Sequence, residues 1–315
     1  MNGPLTATYE QVLLELARRD PRVMVLTAEN RAAIRGLPAK LGSRFLDTGI
    51  TEQTMIGMAA GLALRGRIPV VHALATFLTM RAFEFIRTDV GIPGLPVKLV
   101  GAVPGVLSEA NGPTHQALED VALMRGIPAM RVFCPADLDD LLAGLPAVLA
   151  DPAPWYIRYC DRPPVTAHAP FAVGRAEVFH AGERDHVALL ASGALFREAW
   201  EGAAVLRADG YAVRVLNVRS VKPLDQQAVL EAARRALLLV TIEDHFETGG
   251  LYTAVAETLI RHGGSARVLP ISCGERWFTP ALLPDVLTDA GFTADAIARR
   301  VRSALTHRIP VPAYA

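Results

Sequence analysis

The segment RFLDTGITEQTMIGMAAGLALRG, residues 44–66, passes from a strand to a helix within a few residues. An apolar strand ends at Asp47, Gly49 favours a turn, and a helix of small and apolar residues begins near Thr51. Glu52 therefore lies in the first helical turn, at the edge where open α/β sheets bind their ligands. An acidic residue there also suits the helix dipole, so Glu52 alone does not establish a site.

Short apolar runs alternate with helical patterns on both sides of this segment. RVMVLT (22–27), PVKLVGAV (96–103) and HVALLAS (186–192) are typical of buried strands. TYEQVLLELARR (8–19) and REAWEGAAVLRADG (197–210) have apolar residues at helical spacing. Continuous apolar strands separated by helices predict parallel sheets that are covered on both faces.

The alternation stops in a proline-rich stretch near residues 152–182. Prolines are excluded from central strands and helix interiors, and this stretch contains Pro152, Pro154, Pro163, Pro164 and Pro170. We therefore predict an α/β protein with two doubly wound, mostly parallel-sheet domains, residues 1–165 and 184–315, joined by a linker at 166–183.

The composition excludes several classes of partner. The 315 residues include 32 Lys plus Arg and 32 Asp plus Glu, which gives no electrostatic reason to expect nucleic acid or an anionic membrane. The start has no signal-peptide pattern, and the apolar runs are too short to span a bilayer. Three cysteines without a CxxC spacing indicate reduced thiols, so we expect a cytoplasmic protein.

Two further segments contain candidate site residues. LATFLTMRAFEFIR, residues 74–87, predicts Phe77, Arg81 and Phe85 on one helical face at four-residue spacing. NGPTHQALEDVALMR, residues 111–125, places His115 after a Gly-Pro turn at the entrance to a helix. Each has a plain structural interpretation by itself, because aromatic stripes and lone histidines usually belong to the core.

Taken in order, these segments resemble the pyrimidine-binding domain of transketolases. VRSVKPLD (218–225) and IEDHFETGGLYTAVAE (242–257) are similar to the C-terminal domain of the same family, so the resemblance covers essentially the whole chain. It implies an enzyme that depends on thiamine diphosphate. Such an enzyme is a transferase that moves a two-carbon ketol unit from a ketose donor to an acceptor.

The resemblance assigns the cofactor-binding residues. It implies that Glu52 hydrogen-bonds N1′ of the cofactor's aminopyrimidine and activates that ring, because a carboxyl group in an apolar pocket can share a proton. Phe77 matches an aromatic residue that stacks on the ring, but Leu74 stands where the family often has a further Phe, so the choice between them stays open. Arg81 either pairs with an acidic residue across a subunit interface or is a surface charge.

The resemblance also assigns substrate-binding residues. His115 matches a histidine that contacts the donor sugar by proton transfer or polarisation. Asn111 replaces the usual Asp, Val103 lies near the place of a substrate-binding histidine, and Arg158 lies near a phosphate-binding arginine. Loss of polar groups weakens phosphate recognition. We therefore expect a specialised transketolase whose acceptor is not an ordinary sugar phosphate, as in secondary metabolism.

The diphosphate-binding part of such a site is missing from the sequence. Thiamine-diphosphate enzymes use a Gly-Asp-Gly segment and a downstream Asn pair to hold Mg²⁺. This chain has no Gly-Asp-Gly, and its asparagines are Asn2, Asn30, Asn111 and Asn217. We expect no metal ligands in this chain and a separate N-terminal subunit that binds the diphosphate, in an α2β2 assembly. Glu243, Asp244 and His245 are consecutive, so their side chains should diverge and serve a loop or interface.

Other interpretations stay open at this point. The β subunit of a 2-oxoacid dehydrogenase E1 component shares the two-domain plan and the glutamate, and a deoxyxylulose-phosphate-synthase-like enzyme is also related. A non-catalytic scaffolding subunit with the same fold is a third alternative, against which Glu52 and His115 argue. An unrelated α/β dehydrogenase or hydrolase is disfavoured, because the sequence has no Gly-x-Gly-x-x-Gly or Gly-x-Ser-x-Gly motif.

Overall fold

Two sheets covered by helices form the framework of the protein. The computed structural model describes residues 7–179 and 182–306. Within these residues the strands β1–β12 are, in chain order, Val23–Thr27, Phe45–Asp47, Ile68–Leu74, Lys98–Ala102, Arg131–Phe133, Trp155–Arg158, Glu177–Phe179, Asp185–Ala191, Val213–Asn217, Ser220–Lys222, Ala236–Ile242 and Val268–Ile271. The helices α1–α11 are Tyr9–Arg19, Leu37–Leu41, Glu52–Leu64, Phe83–Phe85, Asp120–Arg125, Leu138–Ala150, Phe196–Ala208, Gln226–Arg235, Leu251–Arg261, Leu283–Ala290 and Ala294–Thr306.

The first sheet is parallel except at one edge. Its strands follow the order β2-β1-β3-β4-β6-β5-β10, and only β10 pairs antiparallel, with β5. The chain moves to one side of β1 to form β2 and to the other side to form β3. The strand order therefore reverses between β1 and β3, and the loops after these strands border a crevice at the carboxyl edge.

The second sheet repeats this plan with five strands. Its order is β12-β11-β8-β9-β7, and only β7 pairs antiparallel, with β9. The order reverses between β8 and β11, which places a second crevice after those strands. The predicted fold class, two doubly wound and mostly parallel α/β domains, is confirmed.

Two short strands cross the predicted domain limits. The strand β7 lies within the predicted linker at 166–183 but belongs to the second sheet. The strand β10 lies within the predicted second domain but completes the first sheet, where Ser220 pairs with Phe133. Three-residue strands at sheet edges carry little sequence signal, because their neighbours in space are far away in the chain.

The linker is held by a buried charged cluster. His168 hydrogen-bonds Asp137 and Glu177, each at 2.8 Å. Arg219 pairs with Asp140 at 2.9 Å and with Glu177 at 2.6 Å. Burial by itself favours the neutral imidazole, but the hydrogen bonds to the two carboxylates raise the pKa of His168 to about 10. The linker is therefore bound to both domains through a charged histidine.

This cluster makes stability depend on pH. The folded-state pKa of His168 lies above the ordinary value of 6.5. The stabilising free energy that the charged His168 contributes to folding is therefore complete below pH 6.5 and is lost as the pH rises through 10. We expect the free energy of unfolding of the wild type, relative to His168→Gln, to fall by about 1–3 kcal/mol between pH 6.5 and 9.5. Urea titrations at both pH values measure this difference. The exposed His262, changed to Gln, is the control, and an equal difference at both pH values would contradict the prediction.

Two predictions from composition can be compared with the structure. The three cysteines are buried and none forms a disulfide. In residues 7–179 and 182–306, no helix combines the length and apolar character needed to cross a bilayer.

Candidate active site

Glu52 is buried at the carboxyl edge of the first sheet. The strand β2 ends at Asp47, and Gly49 adopts a φ of 69°, which an L side chain rarely adopts. The helix α3 then begins at Glu52 and packs Met55 and Ile56 into the core. The side chain of Glu52 is only 3% exposed. The strand, turn and helix predicted from the sequence are confirmed, and they bury a carboxyl group at the edge of the core.

The segment after β3 is not a regular α-helix. Residues Phe77–Arg81 and Ile86–Gly91 are π-helical and are separated by the short α4. Arg81 Nη1 donates to Glu52 Oε2 at 3.1 Å, and the guanidinium lies 4.2 Å from the centroid of the Phe77 ring. Arg81 therefore pairs with an acidic residue of its own chain. The expectation of a plain surface charge is therefore wrong, whereas a pair of Arg81 across a subunit interface stays a prediction.

The predicted face of three side chains is also only partly correct. Phe77 and Arg81 contact each other, whereas Phe85 is 39% exposed and belongs to α4. A π-helical turn contains more residues than an α-helical turn. Side chains at four-residue spacing therefore do not stay on one face of this segment.

His115 lies in a turn that faces Phe77. The prediction of a helix entrance is wrong, because α5 begins five residues later at Asp120. Gly112, with a φ of 70°, permits the turn, and His115 Nδ1 lies 2.9 Å from the hydroxyl of Thr114. The rings of His115 and Phe77 are 5.1 Å apart at an angle of 66°. The structure thus brings Glu52, Arg81, Phe77 and His115 into one contiguous set.

Two adjacent cavities open beside this set. The first has a volume of about 480 Å³ and lies where the strand order reverses, because residues after β1, β2 and β3 line it. Glu52, Leu74 and Phe77 are on its wall, together with Ala28, Glu29, Asn30, Arg31, Ala32, Arg35 and Ile50. Ligands of open α/β sheets bind at such a reversal point.

The second cavity extends the first toward the second domain. Its volume is about 420 Å³, and Leu74, Asn30 and Ala32 line both cavities. Its other lining residues are Ala33, Ala102, Val103, Leu107, Glu109, Tyr159, Asp161, Arg162 and Leu283. Leu283 comes from α10 of the second domain. Most of these polar residues were missed by the sequence analysis, although their positions just after strands β1 and β6 were a usable signal.

Backbone strain is concentrated at the two cavities. Among the described non-glycine residues, positive φ values occur at Glu29 (64°), Val103 (45°) and Glu109 (46°). Glu29 lines the first cavity, and the other two line the second. A left-handed conformation is unfavourable for most side chains, above all for the β-branched Val103. Strained residues often mark ligand sites, and their clustering here supports a functional role for both cavities.

Asn111 is on the same loop as His115 but lines neither of the two cavities described above. Its side chain is exposed, and Nδ2 donates to the carbonyl oxygen of Ser108 at 3.0 Å. The loop from Val106 to Asn111 consists of 3₁₀ turns that are interrupted by a kink at Glu109, and it ends just before the His115 turn. The assignment of Asn111 to substrate binding stays a prediction.

Arg158 is not available to a substrate. Its Nε and Nη1 pair with Asp120 and Asp244, and Nη2 donates to the carbonyl oxygen of Asp244 at 3.3 Å. The residue is 3% exposed and fills the crevice where the second sheet reverses its strand order, beside Gly193. The assignment of Arg158 to substrate binding is therefore corrected: in this structure it joins the two domains.

The segment Glu243–His245 also belongs to the domain interface. Glu243 accepts hydrogen bonds from the backbone N–H of Leu251 and Tyr252 at the start of α9. Its burial raises the pKa of Glu243 to about 7, although these two bonds oppose the shift. His245 Nε2 accepts from the N–H of Ala122 at 3.2 Å. The predicted divergence is only partly correct: Asp244 points away to Arg158, but Glu243 and His245, which are two residues apart, both lie beside Gly250.

The second domain supports the His115 turn from behind. The amide of Gln116, which is 1% exposed, donates to the carbonyl oxygen of Phe278 at 3.2 Å and accepts from its N–H at 3.3 Å. Phe246 N–H donates to the carbonyl oxygen of Leu118 at 2.8 Å. A Cβ atom on Gly112 would lie 2.6 Å from Pro280, so the two segments are closely packed. The position of His115 thus depends on both domains.

The site fits a planar nitrogen heterocycle better than a metal ion. The face of Phe77 and the buried carboxylate of Glu52 already hold one planar group with N–H donors, the Arg81 guanidinium. In the described part of the chain, the acidic group with metal-ligand spacing is Asp140, His168 and Glu177. It belongs to the linker cluster, where Arg219 neutralises its carboxylates, so we assign no metal to it.

Comparisons with known families agree with this geometry. Residues 4–162 match the model of the transketolase pyrimidine-binding domain, and residues 174–297 match that of the transketolase C-terminal domain. The chain belongs to the transketolase family. Within that family it is a subunit of a transketolase-type transferase.

Individual relatives include proteins of similar length. The 6-deoxy-6-sulfo-D-fructose transketolase subunit SqwH of Clostridium sp. (strain MSTE9) is 40% identical over 260 residues, covering 81% of this chain and 80% of that protein. A putative transketolase C-terminal section of Methanocaldococcus jannaschii is 29% identical over 93% of both chains. The 1-deoxy-D-xylulose-5-phosphate synthase of Synechococcus sp. (strain JA-2-3B'a(2-13)) is 33% identical over 97% of this chain. This chain spans about half the length of that synthase, 49%.

Solved structures show the same fold. A split-gene transketolase, described as an inactive β4 tetramer, superposes with a TM-score of 0.83 and 34% identity over 95% of this chain and 96% of that chain. A transketolase of Pichia stipitis in complex with sedoheptulose 7-phosphate gives a TM-score of 0.76 at 17% identity over 96% of this chain and 47% of that chain. The second likeness concerns the fold alone.

Proposed function

We propose that this chain supplies the part of a transketolase active site that binds the aminopyrimidine of thiamine diphosphate. The observation that carries the proposal is the contiguous set of Glu52, Phe77 and His115 beside the first cavity, at the reversal point of the first sheet. The chemistry of the set supports it, because a buried acid, an aromatic face and an imidazole suit a ring cofactor and its substrate.

Each residue has a proposed role. When bound, the cofactor supplies the carbon nucleophile that carries the two-carbon unit. Glu52 holds a proton at N1′ of the ring, and its burial keeps water away from that contact. Phe77 is the better candidate for stacking, because Leu74 lies on the wall between the two cavities. His115 hydrogen-bonds the oxygens of the donor sugar and transfers a proton to or from them. Asn111, which lies on the same loop as His115, binds a hydroxyl group of the substrate.

We infer that a separate N-terminal subunit holds the diphosphate and Mg²⁺ in an α2β2 assembly. The sequence supports this inference, since it lacks a Gly-Asp-Gly segment and an Asn pair. The split-gene relative, whose chain is of similar length, is described as inactive in its β4 form. We also propose a cytoplasmic location, which the three buried free thiols favour.

We further propose an acceptor that is not an ordinary sugar phosphate. In the second cavity the charged lining residues are Glu109, Asp161 and Arg162, and Arg162 is paired with Glu198. Val103 on the same wall is apolar, and Arg158 is bound by two carboxylates and does not line this cavity, so the wall offers a phosphate little attraction. The name of SqwH, a sulfofructose transketolase subunit, gives a precedent for unusual substrates among relatives. A role in secondary metabolism would follow.

Acceptor assays test this function. The two-chain enzyme should transfer a ketol unit to unphosphorylated erythrose with a kcat/KM about 10–100-fold above that for erythrose 4-phosphate, because Glu109 and Asp161 repel a phosphate and no charge-assisted bond compensates. Chromatography of the ketose products with a common ketose donor measures both rates. Glu109→Gln should reduce the difference in kcat/KM between the two acceptors, because it removes a negative charge that repels the phosphate. Fast turnover with erythrose 4-phosphate or ribose 5-phosphate would contradict the proposed acceptor class.

A further inference from the structure

Arg81 contacts both groups that the proposed cofactor ring needs. Its Nη1 donates to Glu52 Oε2 at 3.1 Å, and its guanidinium carbon lies 4.2 Å from the centroid of the Phe77 ring. The side chain of Arg81 is 42% exposed, whereas that of Glu52 is 3% exposed. Arg81 therefore covers the buried carboxylate from the solvent side and can move away without opening the core.

Phe77 lines the first cavity and is contacted by two other side chains. The imidazole of His115 lies against it at 5.1 Å, and the guanidinium covers a ring face. A guanidinium is planar, cationic and rich in N–H groups, and a ring protonated at N1′ shares these properties. An aminopyrimidine that stacks on the same face and bonds the same oxygen competes with Arg81 for one position.

On the basis of the proposed function, we propose that Arg81 occupies the place of the aminopyrimidine until the cofactor enters. Loading then requires the arginine to rotate outward, and the apparent affinity is lowered by the fraction of molecules in which it is still in place. Arg81 thereby becomes a specificity residue for the cofactor. A ligand displaces it only by replacing both its stacking on Phe77 and its bond to Glu52.

Cofactor binding to the two-chain enzyme tests this inference without any substrate. Arg81→Met keeps the apolar stem but removes the planar cation. We expect isothermal titration with thiamine diphosphate and Mg²⁺ to give a Kd about 5–30-fold lower than in the wild type, because one cation–π contact and one partly exposed ion pair no longer compete. Stopped-flow binding should show that the gain lies in the association rate.

Two matched variants separate shape from charge. Arg81→Lys keeps the charge but not the planar group, and its affinity should lie between those of the wild type and Arg81→Met. Arg87→Met removes the same charge from an exposed position six residues further along, and its Kd should equal that of the wild type. If Arg87→Met bound the cofactor as much more tightly as Arg81→Met does, the gain in affinity would be explained by net charge alone, and the inference would be overturned.

The outcomes also distinguish this inference from the proposed function. If the wild type binds the cofactor and Arg81→Met binds it equally well or more weakly, Arg81 does not occupy the ring position and the inference fails alone. If the wild-type complex binds no thiamine diphosphate at all, the proposed function fails. Circular dichroism of each variant verifies the fold, which a half-exposed side chain should not disturb.

Discussion

Replacing Glu52 by glutamine is expected to reduce turnover of the two-chain enzyme by about 10²–10⁴-fold, the usual range for loss of a positioned proton-transfer group. An amide has the shape of the carboxyl group but cannot hold and release a proton at N1′. The helix α3 should persist, because Glu52 is its first residue and its core contacts come from Met55, Ile56 and Ala59. Steady-state rates and thermal melts of the two proteins measure both expectations.

A matched substitution makes this test specific. Glu84 lies on the exposed surface of α4, seven residues beyond Phe77, and Glu84→Gln should leave the rate unchanged. Activity of Glu52→Gln within a few-fold of the wild type would refute the assignment of Glu52. A loss of rate with an equal loss of thermal stability would also count against it, since it would point to a structural role.

The second large effect concerns the isolated chain, which should show no measurable turnover. It should also bind thiamine diphosphate at least about 100-fold more weakly than the two-chain enzyme, because charge-assisted contacts to the diphosphate and Mg²⁺ come from the partner. Calorimetry with the purified chain, and then with both chains, measures the difference. Addition of the partner should restore both binding and activity.

Thiamine without its diphosphate provides the control for this prediction. If the partner binds the diphosphate, the isolated chain should distinguish thiamine from thiamine diphosphate by only a few-fold, while the two-chain enzyme should prefer the diphosphate strongly. Robust activity of the isolated chain would contradict the division of roles between the subunits. A strong preference of the isolated chain for thiamine diphosphate over thiamine would contradict it as well.

Local sequence was sufficient wherever a residue's position depends on its immediate neighbours. Glu52 was placed correctly because a strand, a glycine turn and a helix follow one another within ten residues. The two-domain α/β architecture followed from alternating apolar strands and helices. The divergence of Asp244 from its two neighbours followed from the geometry of consecutive residues, whereas Glu243 and His245 lie on the same side.

Local sequence was insufficient where a contact joins distant parts of the chain. Arg158 was assigned to substrate because nothing near it in the sequence reveals Asp244, which lies 86 residues later and neutralises it. His115 was expected at a helix entrance, but the turn is fixed by Gln116 and its two bonds to Phe278, 162 residues away. The contact between Arg81 and Glu52 depends on a π-helical segment, which four-residue spacing does not predict.

The strand β10 limits how such a gene can be rearranged. Ser220–Lys222 forms the outer edge of the first sheet. A fragment truncated near residue 165 would therefore expose β5 as an unpaired edge strand, which favours aggregation. The same truncation would remove Asp244 and leave Arg158 with only one of its two carboxylate partners, Asp120. Recombination between relatives should therefore exchange both halves together, and chimeras joined in the proline-rich stretch should be prone to aggregate.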